Sequence, residues 1–453
     1  MSEPDGLPVP RRYWSILAIG LAIALSVLDG SIANVALPTI ARELRADAAE
    51  ALWVVNAYQV AVTVTLLPLA ALGDRIGYRQ VYLAGLSVFT AASLACALAD
   101  SLAVLTASRI VQGLGAAGLM SVSAALVRFT YPQSLLGRAV GINAFVVAVS
   151  AAAGPAVAAA VLAAASWRWL FGLSVPLGLL TLLIASRALP GSPRSARRFD
   201  VPGALLNALA FGLLVTGVEA FARGAVQAAA LQIGVGVLAA VALVRHQLAA
   251  PAPLVPVDLL RIPAFGLSVA TSICSFAAQM LAFASLPFHL HDVLGRGAVQ
   301  IGLLMTPWPL ATSVAAPVAG LLADRVAAGL LGSLGLLVLA TGLALLAVLP
   351  PDAASADIAW RMAVCGAGFG LFQAPNNRTM LSAAPRHRSG AAGGMLATAR
   401  LLGQTAGTTA VVVLFRLRPQ QATTLALALA ACLAVVAAAV SALRLRPQNH
   451  PNK

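Results

Sequence analysis

The sequence predicts an all-α polytopic membrane protein of fourteen transmembrane helices, arranged as two parallel-related six-helix halves with two further helices inserted between them. Three observations carry this. Of the 453 residues, 60% are hydrophobic and only 10% charged, and the mean hydropathy is +0.91, against roughly 25% charged residues in an average soluble domain. Apolar runs of about 20 residues, the length needed to cross a hydrocarbon core of about 30 Å, follow one another almost end to end. Segments of the first half also recur at an offset of about 250 residues.

Apolar runs broken by charges, prolines and glycines place helices near 14–37, 51–72, 81–99, 102–126, 139–163 and 167–187, which form the first half. Runs at 201–221 and 225–245 are the inserted pair, and the second half follows at 264–288, 298–322, 328–349, 356–375, 390–415 and 421–443. The domain organisation read from this is an N-terminal tail 1–13, a first half 14–189, a linker with two extra helices 190–262, a second half 263–443 and a tail 444–453. With a cytoplasmic N-terminus the inner segments hold nineteen Lys and Arg and the outer segments seven, with three more inside spans. The positive-inside rule then puts both termini in the cytoplasm.

The repeat is read from four pairs. "LAALGDR" (69–75) returns as "AGLLADR" (319–325), "RIVQGLGAAGLM" (109–120) as "RMAVCGAGFGLF" (361–372), "NVALPTI" (34–40) as "FASLPFH" (283–289), and "GRAVGI" (137–142) as "GAAGGM" (390–395). Parallel halves with a site near the midplane are a transporter design.

Other function classes are excluded by what is missing. The net charge of +14 is spread over short connections and not gathered on a folded face, so no nucleic-acid partner is expected. Cys96, Cys274, Cys365 and Cys432 sit in separate apolar runs, which argues against a disulfide framework or zinc site. "HLHD" (289–292) places its histidines at i and i+2, off a common helix face, so no metal is expected. The five histidines are scattered and the loops are short, which removes the material for an enzyme or a receptor. No phosphate-binding Gly-x-x-x-x-Gly-Lys-Ser/Thr loop exists and the only lysine is Lys453, so the energy must come from an ion gradient and not from ATP. The expected partners are the bilayer and small molecules.

Four stretches resemble the major facilitator superfamily and, within it, the fourteen-helix drug:proton antiporters. "ALGDRIGYRQ" (71–80) resembles the cytoplasmic loop motif of the superfamily; "RIVQGLGAAG" (109–118) resembles the Arg-x-x-Gln-Gly motif associated with proton coupling; "AAAGPAVAAA" (151–160) resembles the antiporter Gly-Pro motif; and "LDGSIANVALP" (28–38) resembles the stretch that marks the fourteen-helix branch. Ala70, Tyr78, Ala158, Ala159 and Ala327 depart from the usual residues. The resemblance implies a major facilitator fold and a proton-coupled antiporter, exporting lipophilic or toxic amphipathic compounds without a cofactor other than the proton gradient. The alternatives are a dedicated exporter of one endogenous metabolite or antibiotic, or a proton symporter. A monomeric transport unit is expected. Arg is used almost to the exclusion of Lys and Ala is abundant, which fits a GC-rich genome and a multi-pass protein of a bacterial inner membrane.

The charged residues inside spans carry the chemistry. Asp29 lies about eight residues below the outer end of its span, about 12 Å deep, and Arg109 lies about 10 Å deep by the same rise. A carboxylate at such depth costs several kcal/mol unless something answers it. An arginine favours its ionised form and burial its protonated form, so its proton depends on conformation and on what fills the cavity. Asp29 and Arg109 are therefore the proposed proton-coupling pair; the plainer alternative is an aspartate that caps a helix break at Gly30 or pairs permanently.

Gly73, Asp74, Arg75, Gly77 and Arg79, with the second copy at Asp324 and Arg325, are expected to form a cytoplasmic gate. Gly154-Pro155 is expected to bend its helix and permit close approach. Candidate cavity-lining residues are Asn34, Asn56, Tyr58, Gln59, Gln112, Asn143, Gln279, Trp308, Arg361, Gln373, Asn376, Arg400 and Gln404. Arg400 serves either an interface or a substrate contact. Glu219 is expected at the membrane interface, paired with Arg223. With Asp29 the one acid deep in the helices, monovalent cationic or neutral substrates are favoured.

Overall fold

The computed structural model describes residues 6–132, 135–192, 199–249, 257–323, 325–350, 352–384 and 389–445. The described chain is all-α. The first unit opens with α1 (Arg11–Glu43), α2 (Ala48–Ile76), α3 (Tyr78–Ala97), α4 (Leu102–Thr130) and α5 (Leu136–Ala164). It continues with α6 (Arg168–Gly172), α7 (Ser174–Ala188), α8 (Val201–Ala222) and α9 (Val226–Ala249). There follow α10 (Pro263–Asp292), α11 (Ala298–Met305), α12 (Pro307–Leu322), α13 (Ala328–Ala347), α14 (Ser355–Ala383), α15 (Ser389–Leu417) and α16 (Ala422–Ala442). Two units separate by contact, residues 1–246 with 296–303 and residues 247–295 with 304–453.

Among the described residues twelve helical stretches are long and apolar enough to cross a membrane. The chain is thus a multi-pass membrane protein. Helices α14 and α15, which cover two of the fourteen expected spans, are not among the twelve. The reason is compositional: α14 is interrupted by Asp357, Arg361, Gln373, Asn376, Asn377 and Arg378, and α15 by Arg400, Gln404 and a series of glycines and threonines.

Two expected spans carry a one-residue interruption of the helical hydrogen-bond pattern, yet each is a single apolar helical stretch, 168–188 and 298–322. The junctions are at Leu173, between α6 and α7, and at Thr306, between α11 and α12, and both residues keep helical backbone angles. Pro307 begins α12; it has no N–H to continue the ladder, which accounts for the second interruption. Most helices also run past their apolar stretches, as α1 does at both ends, because helical backbone continues into polar turns outside the apolar run.

Local signals set the boundaries. Asp47 and Glu50 form a reciprocal capping box at the start of α2. Ser101 caps α4 and Asp200 caps α8. Gly77, at φ 109°, separates α2 from α3 with a backbone that side-chain-bearing residues avoid.

In the first unit α2 and α3 both pack on α4, and α1 packs on α5 and α7. In the second unit α12 and α13 pack on α14, while α10 packs on α15 and α16. Lipid removes the hydrophobic drive between helices, so close packing of small residues must hold them together. A Cβ on Gly115 of α4 would lie 2.7 Å from the Cα of Phe89 and 2.8 Å from the Gly85 carbonyl oxygen on α3. In the second unit a Cβ on Gly335 of α13 would lie 2.7 Å from the Gly368 oxygen on α14. The repeat read from sequence thus has a structural counterpart in two glycine-lined helix contacts.

Candidate functional site: a buried charge network in the first unit

Asp29 is carried by α1, which is apolar for several turns on either side of it, and Arg109 is carried by α4. The two form an ion pair, with their side chains 1% and 0% exposed. Arg109 is held through Nη1 and Nε, while its buried Nη2 has no hydrogen-bond partner among the described residues. Its Nη1 also donates to Gln112 Oε1 at 2.6 Å, and its Nε donates to the carbonyl of Val54 on α2 at 3.1 Å. The ring of Tyr58 lies 4.1 Å from the guanidinium carbon and that of Phe171 lies 5.4 Å away.

Gln112 completes the arrangement. One turn after Arg109 on α4, its Nε2 donates to Asp29 Oδ1 at 2.8 Å and to Ser93 Oγ of α3 at 2.9 Å. The Cys96 thiol donates to Gln112 Oε1 at 3.6 Å. Residues of four helices therefore meet in one network, in which Arg109 and Gln112 of α4 contact the carboxylate directly. Gly113 allows this approach, because a Cβ there would lie 2.7 Å from the Tyr58 carbonyl oxygen and 2.8 Å from Ala61 Cβ. A buried ion pair answers its desolvation cost only when its other donors and acceptors are also met, and this network meets most of them. Chemically it can hold a charged carboxylate inside the membrane, and it can release Arg109 to other acceptors if Asp29 takes a proton.

The expected loop residues lie together at the junction of α2 and α3. Gly73 is buried, and a Cβ there would lie 2.8 Å from Val122 and 2.9 Å from the Tyr78 ring. Asp74 and Arg75 are exposed. Tyr78 donates its hydroxyl to Asp74, its backbone N–H donates to Ser192 Oγ at 2.9 Å, and Arg79 donates to the carbonyl of Ser186 on α7. Tyr78, a departure from the motif by sequence, is thus the partner of its aspartate. In the second copy Arg325 is exposed, and Asp324 lies outside the described residues. Gly154 of α5 is buried directly against Ser31 of α1, whose Cβ would lie 2.5 Å from a Cβ at 154, and Pro155 lies inside α5.

The candidate cavity residues scatter. Gln112 and Tyr58 belong to the charge network. Asn34 donates to the carbonyl of Gly30 at 3.1 Å. Asn56 and Gln59 are buried on α2, and Asn143 is half-buried on α5. In the second unit Trp308 is 0% exposed, with its ring edge-on to Phe283 at 5.0 Å. Asn376 is tied to Ser272 at 2.8 Å and accepts from Arg444 at 2.9 Å. Gln279, Gln373, Arg400 and Gln404 are half-buried. Arg361, the repeat partner of Arg109, pairs instead with Asp357 one turn earlier at 2.9 Å and donates to the Leu345 carbonyl at 2.5 Å.

Glu219 is paired as expected, with a further partner that the sequence does not show. It pairs with Arg223 at 3.3 Å, yet it is 5% exposed and accepts a hydrogen bond from Trp53 of α2 at 2.6 Å. It is buried because α8 lies against α2, a proximity that sequence spacing does not encode.

The family model of the Major Facilitator Superfamily matches residues 19–408. The chain belongs to this superfamily. It is accordingly a membrane transporter and not an enzyme. It is 56% identical over 446 residues to the uncharacterized transporter YebQ of Escherichia coli K12, covering 98% of each. It is 28% identical to the riboflavin transporter RibZ of Clostridioides difficile, over 88% of this chain and 87% of that one. It is 33% identical to the multidrug resistance protein Stp of Mycobacterium tuberculosis, over 87% of this chain and 74% of that one. A bacterial homologue of the human lysosomal transporter Spinster shares the fold, with a TM-score of 0.68 at 15% identity over 97% of this chain and 98% of that one.

Proposed function

We propose that this transporter is a proton-coupled antiporter that exports lipophilic, monovalent cationic or neutral compounds from the cytoplasm. The observation that carries the reading is the Asp29–Arg109 pair, a carboxylate buried in apolar helices with its counter-charge and a bridging amide around it. Protonation of Asp29 breaks the pair and frees Arg109; deprotonation restores it. Alternating access then runs by switching that pair, with outward protons entering as substrate leaves. The similarity to a multidrug resistance protein supports the export direction.

In this reading all fourteen helices span the membrane of a bacterial cell, both termini are cytoplasmic, and α8 and α9 are the pair added between the two halves. The loop at Gly73 to Arg79, with Asp324 and Arg325, is the cytoplasmic gate, and Gly154-Pro155 is a pivot of α5 against α1. The transport unit is a monomer that needs no bound cofactor. The similarity to a riboflavin transporter favours a second reading, in which the same machinery serves one metabolite.

The test is efflux of a panel of fluorescent lipophilic cations and neutral dyes from loaded cells, wild type against Asp29→Asn at equal expression, with and without a protonophore. Efflux that both treatments abolish supports the proposal. Efflux by Asp29→Asn equal to wild type overturns the coupling role, and a transporter that moves none of the dyes favours the second reading.

A further inference from the structure

We infer that Glu219 of α8 is a positioning residue for the Asp29–Arg109 pair, acting through a single turn of α2. The inference rests on the reading of that pair as the coupling site.

The geometry runs in one line across the first unit. Glu219 Oε1 accepts from Trp53 Nε1 at 2.6 Å. The next residue, Val54, supplies the carbonyl that accepts from Arg109 Nε at 3.1 Å. One turn further, Tyr58 lays its ring 4.1 Å from the guanidinium carbon. Residues 53, 54 and 58 of α2 therefore hold α8 on one side and seat Arg109 on the other. Because Nε lies in the guanidinium plane, the bond to Val54 sets that plane, and with it whether Nη1 reaches both Asp29 and Gln112.

A second contact docks α8 on α2. Pro68 has no N–H to give the carbonyl of Val64, four residues earlier, and Asn207 of α8 donates to that freed oxygen at 2.7 Å. This contact already fastens α8 to α2 by a neutral bond. Glu219 adds a carboxylate inside the span at 5% exposure, against Arg223 whose side chain is 51% exposed. A buried carboxylate is costly unless it is paired and hydrogen-bonded, and Glu219 has Arg223 and Trp53 for this. A carboxylate oxygen is also the stronger acceptor for an indole N–H and holds Trp53 in one place. The inserted helix thus acts as a brace for the seat of the arginine.

The test is a double-mutant cycle on the apparent melting temperature of the purified full chain in nanodiscs, combining Glu219→Leu with Arg109→Gln. If Glu219 acts through the seat, the downward shift from Glu219→Leu shrinks by about half or more once Arg109 is gone, since contacting or networked residues couple and independent ones add. An equal shift in both backgrounds overturns the inference, leaving Glu219 a docking contact for α8 alone. Trp53→Phe, which keeps a ring and removes the donor, must reproduce the Glu219→Leu shift and its dependence on Arg109; a wild-type melting temperature for Trp53→Phe overturns the route. Glu219→Gln, which keeps an acceptor, must restore most of the loss, and a Gln variant as impaired as Leu overturns the hydrogen-bond role. Should Glu219→Leu not fold, the cycle is run with Trp53→Phe in its place. The cycle needs no substrate, so it is read independently of whether the export proposal holds.

Discussion

Replacing Arg109 by glutamine strands the Asp29 carboxylate among α1, α3 and α4 with only Gln112 facing it. The structure sets the magnitude: both side chains are at most 1% exposed, and removing one partner of such a pair costs about 3–5 kcal/mol because the other charge stays buried. The double replacement Asp29→Asn with Arg109→Gln removes that term. What it leaves is the lost ring contact with Tyr58 and the lost bond to the Val54 carbonyl, together about 1–3 kcal/mol. The double variant is therefore expected to be more stable than Arg109→Gln alone. The assay is reversible unfolding by SDS titration in mixed micelles, followed by circular dichroism. A single variant as stable as the double would mean that the pair is not the buried, mutually dependent unit described above.

Three further outcomes follow from the packing and the charges. Gly115→Val forces α3 away from α4, because the Phe89 backbone occupies the space of any side chain there; overpacking of about 1–3 kcal/mol is expected, read as a fall in monodisperse protein on size exclusion, and an unchanged yield contradicts it. Gly154→Ala collides with Ser31 and lowers the melting temperature; Ser31→Gly in the same chain restores it, and a double variant no better than the single refutes the contact. Arg361→Gln leaves dye export intact, since Arg361 is held by Asp357 one turn away and by the Leu345 carbonyl, whereas Arg109→Gln abolishes export. Equal losses from the two arginines would refute the assignment of the charge chemistry to the first unit.

Much of this was legible in the sequence because bilayer thickness translates directly into run length, and because depth along a helix can be counted. Asp29 and Arg109 could be placed at one level from the rise per residue alone. The contact between them, and the role of Gln112 and Ser93 as its bridge, needed the arrangement of α1, α3 and α4, which no spacing within one helix encodes. Arg361 is the repeat counterpart of Arg109 without a counterpart of Asp29, and Asp357 at i−4 is the partner of its charge. The sequence pairs Glu219 with Arg223 at the end of its span, and its hydrogen bond from Trp53, 166 residues away in the chain, is not encoded there. The one-residue interruptions between α6 and α7 and between α11 and α12 leave both spans read from run length intact. Pro307 was the visible signal for the second interruption.

The central claim is that a proton on Asp29 is exchanged for substrate. Purified protein in liposomes, with a lipophilic fluorescent cation loaded on the side that exposes the N-terminus and a pH-sensitive dye on the same side, measures both fluxes together. The account predicts acidification of that compartment in step with loss of the cation for wild type, and neither gradient-driven flux for Asp29→Asn. Cation loss without acidification in wild type, or coupled fluxes that persist in Asp29→Asn, would contradict it.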